Sequence, residues 1–329
     1  MWLRLYCLLN LAVLVFCTDK YSREDFPPGF IFGINSLPLQ NYWTCKAEGA
    51  ANEDGRSPSV WDTFAHEGGC PTHGQNRVGC IQIFYLMVKT YPKWKRKYQI
   101  INPKGLLYYN ILINELISHG IQAHVMLFHF DHPQALEDEY GGWVSRKIVK
   151  DFAYYADVCF REFGDRVACW TTLNGPNVDV LGGYDTGHLP PERCSPPFGL
   201  NCTKGNSSSE PYLVAHHLLL AHASTVRLYR ENYQVMQDKQ LGFIGLNFFV
   251  SWPIPLTNST EDTIATRRAL DFLIGLILNP LVFGDNPYAV KNNAGLRLPA
   301  FSDYESKQVK GAFDFLGLNH YSTDYVTDN

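Results

Sequence analysis

The chain has 329 residues, of which 46% are apolar and 14% aromatic, so it is long enough to bury a large hydrophobic core. Its formal net charge of -4 and its pI near 6.2 argue against nucleic acid as a partner. The basic run at residues 89–97 has no basic domain around it, which indicates a solvated linker.

The N-terminus has the pattern of a secretory signal. Arg4 precedes an apolar stretch from Leu5 to Cys17, and polar residues follow it. The stretch is too short to span a bilayer as a helix of the mature protein. We therefore expect residues 1–18 to be a signal peptide and residues 19–329 to enter the secretory pathway, with no membrane attachment after signal removal. The destination would be extracellular, vacuolar or the endoplasmic reticulum.

Strands and helices are predicted to alternate along the chain. Apolar runs that end in polar residues indicate buried parallel strands, and apolar residues at helical spacing indicate the helices between them. In chain order, the predicted elements are a strand at Phe30–Gly33, a helix over Ile101–Ile121 capped by Gly120, a strand at Ala123–Phe130, a helix from Ile148 to Phe163, strands at Ala168–Asn174 and Leu241–Phe249, a helix at Phe272–Val282 and a strand at Phe313–Asn319.

This alternation predicts an α/β fold with a parallel sheet covered by helices. In a (β/α)₈ barrel the functional groups lie at the carboxyl ends of the strands. His129, Asp131 and Asn174 stand at such ends.

Several motifs resemble glycoside hydrolase family 1, the β-glucosidase family. They are Phe26–Gly33, Glu48–Phe64, Phe128–Pro133, Thr171–Asn177 and Asp314–Tyr321, and the segment Cys194–Cys202 is similar to the plant branch. The resemblance implies a TIM barrel, retaining hydrolysis of terminal β-D-glucosyl residues, and a small β-glucoside as the partner. It implies no cofactor. No metal is expected either, since the cysteines lack Cys-x-x-Cys spacing.

The chain departs from the family pattern at the acid/base motif. The family motif has Glu between Asn and Pro as the proton donor, and this chain has Gly175 there. No Thr-Glu-Asn-Gly, the family's nucleophile motif, occurs in the 329 residues. The segment Met87–Ile101 is shorter than the family's helix end and strand, and the chain stops at Asn329, before the family's last two strands. We therefore expect residues 19–329 to form an incomplete TIM barrel with no intact catalytic residue.

Three hypotheses follow. An active β-glucosidase is suggested by the overall resemblance and contradicted by the missing carboxylates, because a retaining glycosidase needs two of them about 5 Å apart. A secreted pseudoenzyme that still binds glucosides and a damaged gene product without a stable fold both fit the sequence. We favour descent from a β-glucosidase with hydrolysis lost.

Five residues match positions that the family uses around the sugar: Gln40, His129, Asn174, Asn319 and Tyr321. Lys46 is an alternative to Gln40 if the alignment is anchored downstream. Asn174 could equally be a turn residue at a strand end, and Tyr321 could be a core aromatic.

Secretion affects how cysteines and asparagines are interpreted. Seven cysteines follow the expected signal, so at least one thiol stays free or pairs between chains. Cys194 and Cys202 bracket a Pro- and Gly-rich loop, and the resemblance favours a disulfide between them. Asn201, Asn206 and Asn258 begin Asn-x-Ser/Thr triplets and are candidate glycan acceptors.

Overall fold

A computed structural model describes Val60 and residues 103–118, 120, 122–197, 199–234 and 242–328. Several predictions lie outside these residues: the signal at 1–18, the strand at Phe30–Gly33, Gln40, Lys46 and the basic run at 89–97.

Four strands form one parallel sheet in the order β1-β2-β3-β4. They are β1 (Ala123–Met126), β2 (Val167–Asn174), β3 (Phe243–Pro255) and β4 (Phe315–Val326). Each strand of the sheet neighbours the next one along the chain, with helices in the crossovers, as in a (β/α)₈ barrel. The described strands are therefore half of such a barrel, and the predicted fold class is confirmed.

The helices follow the predicted rhythm. They are α1 (Pro103–Ser118), α2 (Gln134–Tyr140), α3 (Ile148–Phe163), α4 (Pro176–Leu181), α5 (Glu210–Tyr229), α6 (Thr260–Leu270), α7 (Leu276–Phe283), α8 (Tyr288–Ala294) and α9 (Asp303–Val309). Helix α3 has the predicted bounds, and Gly120 beyond α1 has φ 72° and donates its N–H to the carbonyl of Ile117 at 2.9 Å. The helix predicted at Phe272–Val282 begins instead as a π-helical turn at Asp271–Gly275 and continues as α7.

Three strands have bounds that differ from the prediction by several residues. Strand β1 ends at Met126 rather than Phe130, because the chain turns at Phe130, whose φ is 64°. The segment after β1 still follows β2, since Leu127 donates to the Thr171 carbonyl at 2.8 Å. Strand β3 runs past Phe249 to Pro255, and strand β4 runs past Asn319 to Val326. These two ends pair as a two-stranded ribbon, in which the β4 side chains are mostly exposed.

Aromatic side chains fill the core between the sheet and its helices. The rings of Phe128 and Trp143 lie 5.1 Å apart, and those of Phe160 and Trp170 lie 4.9 Å apart in an edge-to-face arrangement. All four side chains have no exposed surface. Such pairs contribute about 0.5–1.5 kcal/mol each beyond their buried area, and the pair of Phe160 and Trp170 anchors α3 to β2.

No single helix of the described ranges is long and apolar enough to cross a membrane, although the bent pair Thr260–Phe283 and Tyr288–Arg297 passes the same criteria when taken together. Across those ranges, no group of three or more His, Cys, Asp or Glu side chains could hold a metal ion.

Candidate functional site

The carboxyl end of β2 and the middle of β4 meet through two asparagines. Asn319 Nδ2 donates to Asn174 Oδ1 at 2.8 Å, and both residues are buried, with 3% and 5% of their surface exposed. Because Asn174 Oδ1 is used as an acceptor, its Nδ2 keeps two N–H donors. The structure thus joins two residues that lie 145 positions apart in the sequence.

His129 lies beside this pair, in the segment that follows β1. The backbone N–H of Asn174 donates to the carbonyl of Phe128 at 3.0 Å, which places the His129 segment directly against the end of β2. The His129 N–H donates to Asp131 Oδ1 at 3.0 Å, and this bond fixes the turn. Burial lowers the pKa of the His129 imidazole to about 4. At neutral pH the ring is therefore uncharged and can both donate and accept a hydrogen bond.

Gly175 occupies the acid/base position in a left-handed conformation. Its φ and ψ are 56° and 44°, and its N–H donates to the Asn247 carbonyl at 2.8 Å as helix α4 begins. A Cβ atom here would lie 3.0 Å from Val178 Cγ1 and 3.4 Å from the ring of Phe130. Gly175 thus provides no side-chain functional group, and a residue with a side chain would have little room at this position.

Tyr321 lies at the rim of this strand end. Its ring stacks on Phe249, with centroids 5.0 Å apart and planes at 21°, and 49% of its surface is exposed. Tyr321 therefore contacts another aromatic side chain but is not enclosed in the core. Of the matched sugar-binding positions, the structure gathers His129, Asn174 and Asn319 and sets Tyr321 beside them.

Asp179 lies outside the sequence motifs and is a buried acid. Its carboxyl is 1% exposed, and Oδ2 has no hydrogen-bond partner. Burial, and then the charge of Asp131, raise its pKa well above the usual range. In the sequence, the only sign of this burial is that Asp179 stands between Val178 and Val180 in a short apolar helix. Tyr184, also buried, has its pKa raised by burial and by the charge of Asp179.

A disulfide between Cys194 and Cys202, whose Cα atoms are 5.4 Å apart, closes part of the loop between α4 and α5. Asn201 and Asn206, on this loop, are exposed, as is Asn258 just before α6. All three candidate glycan acceptors are therefore accessible on the surface of the described fold.

A buried ion network attaches this loop to the barrel. Arg193 Nη1 and Lys204 Nζ each donate to Glu137 Oε1 at 3.0 Å, and Arg193 Nε donates to Glu210 Oε2 at 2.8 Å. Burial raises the pKa of Glu137, but the hydrogen bonds and charges of His132 and Lys204 outweigh it and lower the pKa to about 2. Glu137 is therefore ionised at neutral pH, and its side chain is only 1% exposed.

Comparison with known proteins finds relatives that match almost the whole chain. The model of glycosyl hydrolase family 1 matches residues 22–90 and 88–329. Over 98% of this chain, Beta-glucosidase 11 of Arabidopsis thaliana is 51% identical and Hydroxyisourate hydrolase of Glycine max is 52% identical. The chain spans 68% and 59% of their lengths.

A solved structure of rice Os3BGlu6 β-glucosidase, in a covalent complex with glucose, matches with a TM-score of 0.79 and 40% identity. The match covers 93% of this chain and 66% of that one. The two curated relatives have nearly equal identity but different activities in their names. Identity alone therefore does not select a substrate.

Proposed function

Because the chain belongs to glycosyl hydrolase family 1, we propose that it is a β-glucosidase-like protein that binds β-glucosides without hydrolysing them. The observation that carries this proposal is Gly175 at the acid/base position. Loss of general acid catalysis alone typically lowers a rate by about 10²–10⁴-fold.

Neighbouring acids do not offer a replacement. Asp131 accepts the His129 N–H and has 2% of its surface exposed. Asp179 lies one helical turn beyond Gly175, with its N–H bonded to the Gly175 carbonyl at 3.0 Å and its carboxyl buried. A proton donor must reach the leaving oxygen within hydrogen-bond distance, and two carboxyls this deeply buried are poorly placed to do so.

Glucoside binding is supported by the polar groups at the strand ends. The two free N–H donors of Asn174 and the neutral ring of His129 are suited to sugar hydroxyls, which both donate and accept. Asn319 orients the Asn174 amide, and Gln40 would add a further contact as the family resemblance implies. No cofactor enters this proposal.

Two measurements on the purified chain test it. The first is hydrolysis of p-nitrophenyl and 2,4-dinitrophenyl β-glucoside, with and without azide. The dinitrophenolate leaves without protonation, and azide replaces a missing acid/base only after a glycosyl-enzyme has formed. We expect no turnover of p-nitrophenyl β-glucoside without azide, and turnover of it above a heat-denatured control would refute the loss of hydrolysis. Turnover of the dinitrophenyl substrate with azide would show that only the acid/base is lost and that a nucleophile is present.

The second measurement is calorimetric titration with a glucose-configured imino sugar. We expect saturable binding that weakens about 2- to 10-fold in Asn174→Ala, since a hydrogen bond to a neutral sugar hydroxyl contributes about 0.5–1.5 kcal/mol. Asn110→Ala is the matched control: its amide also donates and accepts, to Leu106 and from Arg166, but lies on α1. Absence of binding to the parent chain would instead favour a product that has lost both functions.

We also propose that the chain is secreted and glycosylated. The N-terminal pattern of residues 1–18 and the exposed Asn201, Asn206 and Asn258 support this. Expression in a plant secretory system, followed by N-terminal sequencing and endoglycosidase treatment, tests both points. An intact Met1 and an unchanged mass after treatment would contradict the proposal.

A further inference from the structure

Asn177 makes contacts that its place outside the strands does not suggest. Its Nδ2 donates to the Phe249 carbonyl at 2.8 Å, and its Oδ1 accepts the Phe249 N–H at 3.1 Å. One side chain thus satisfies both backbone groups of one residue on β3. Asn177 itself is 4% exposed, so water competes little for these bonds.

These two bonds extend the sheet after β2 has ended. The pairing of β2 with β3 stops at Asn174 and Asn247. Alternate residues of a parallel strand direct their backbone groups to the same neighbour, so Phe249 follows Asn247 on the side that faces β2. At Phe249, the side-chain amide of Asn177 makes the two hydrogen bonds that a longer β2 would make.

The residue held in this way carries an aromatic ring at the rim of the site. Phe249 is paired on its other side with Asn319 of β4, and its ring stacks on Tyr321 two residues further along. The stacked pair forms a partly exposed aromatic surface beside the Asn174 and Asn319 amides. We call Phe249 and Tyr321 the aromatic wall.

We propose that Asn177 is a positioning residue that fixes the aromatic wall, and that the wall selects β-glucosides with an aryl group over those with a small alkyl group. This deepens the proposed function and rests on it. Asn177 does not touch the sugar in this scheme. It acts by holding the Phe249 backbone so that the two rings keep their stacked geometry.

The first test needs no ligand. Hydrogen exchange should show that Asn177→Ala lowers protection of the Phe249 amide on the order of 10-fold, because a hydrogen-bond partner is lost, with the rest of the sheet unchanged. Asn177→Asp keeps the acceptor for that N–H but loses the donor to the carbonyl, so a smaller loss is expected. Asn110→Ala is again the control and should leave segment 243–255 protected.

The second test uses ligands. Asn177→Ala should weaken binding of phenyl β-glucoside about 5-fold, as expected for a lost aromatic contact, and leave methyl β-glucoside within about 2-fold. Phe249→Leu should reproduce this pattern. Unchanged exchange at residues 243–255, or equal weakening for both glucosides, would overturn the positioning role. If the parent binds neither glucoside, the proposed function and the aryl preference both fail, while exchange alone still decides whether Asn177 holds the wall.

Discussion

The buried histidine His222 should make the fold sensitive to mild acid. Its Nε2 donates to the Ala312 carbonyl at 2.5 Å, which requires the proton on that nitrogen, and Nδ1 lies 2.6 Å from Thr172 Oγ1. Thr172 stands two residues before Asn174, so this contact supports the strand end that forms the site. Burial lowers the pKa of His222 to about 4, against a smaller opposing effect of the Ala312 bond.

The sign and size of the effect follow from linkage between protonation and folding. The unfolded ring has a pKa near 6.5, so the stability that depends on the neutral ring is complete above that value and is lost as the pH falls towards 4. The total loss is about 3 kcal/mol, of which about 2 kcal/mol is lost between pH 7.5 and pH 5.0. On protonation, Thr172 can turn its hydroxyl to the Gly245 carbonyl 3.1 Å away, so the cost is mainly that of a buried charge.

The assay is urea unfolding of the parent and of His222→Gln at both pH values. The variant should be less stable than the parent at pH 7.5 because it loses hydrogen bonds. On acidification it should lose about 2 kcal/mol less than the parent does. Thr225→Ala, at a buried and non-titrating position of the same helix, is the control and should lose as much as the parent. An equal loss in parent and His222→Gln would refute the assignment of this sensitivity to His222.

Three further predictions concern the groups around the site. Asp179→Asn should raise the free energy of unfolding at pH 7 by about 1–3 kcal/mol, because the raised pKa of the carboxyl shows that its ionised form is penalised in the fold. In urea unfolding, this gain should vanish below the unfolded pKa of Asp near 4. A loss of stability at pH 7 would contradict the reasoning. Reduction of the disulfide between Cys194 and Cys202 should lower the free energy of unfolding by about 2–3 kcal/mol, because the unfolded chain gains conformational entropy when the loop opens. Alkylation of both thiols in folded, unreduced material would count against the bond itself. Glu137→Gln should cost about 1.5–3 kcal/mol at pH 7, because Arg193 and Lys204 lose a charged acceptor while Arg193 keeps Glu210. Because the folded pKa of Glu137 is about 2, this difference should shrink as the pH falls from 4.5 towards 2. A thermal scan that shows no pH dependence in the difference would exclude the ion network as its source.

The sheet was predictable because its strands are apolar on both faces. The runs that gave β2 and β3 have no competing pattern, and their polar ends, such as Asn174, mark the functional edge. The predicted end of β1 was wrong because the turn that follows it depends on a positive φ at Phe130. The amino-acid composition of the segment does not predict that conformation. The bounds of β4 were wrong because its second half is stabilised by pairing with β3 and not by burial.

The site was predictable only where a motif carried it. The Asn174 and Asn319 positions came from the family resemblance, and their direct hydrogen bond became visible only in the structure. Asn177 could not have been found from local sequence. Its role depends on a backbone position 72 residues away that has lost its strand partner. Contacts of this kind are set by where a neighbouring strand ends, and a local pattern does not report that.

Rebuilding the acid/base motif by Gly175→Glu should not create a glucosidase. The backbone at Gly175 is left-handed, which costs a residue with a Cβ about 1–2 kcal/mol, and the added atom would press on Val178. Gly120→Glu is the matched control: Gly120 is also left-handed, with φ 72°, but an added Cβ meets nothing within 4 Å. The difference between the two variants in urea unfolding should therefore report crowding at Gly175 alone. A retaining glycosidase needs a second carboxylate as nucleophile about 5 Å from the proton donor, and Gly175→Glu adds only one of the two. Measurable retaining hydrolysis by the single variant would show that another carboxylate of this chain already serves as the nucleophile.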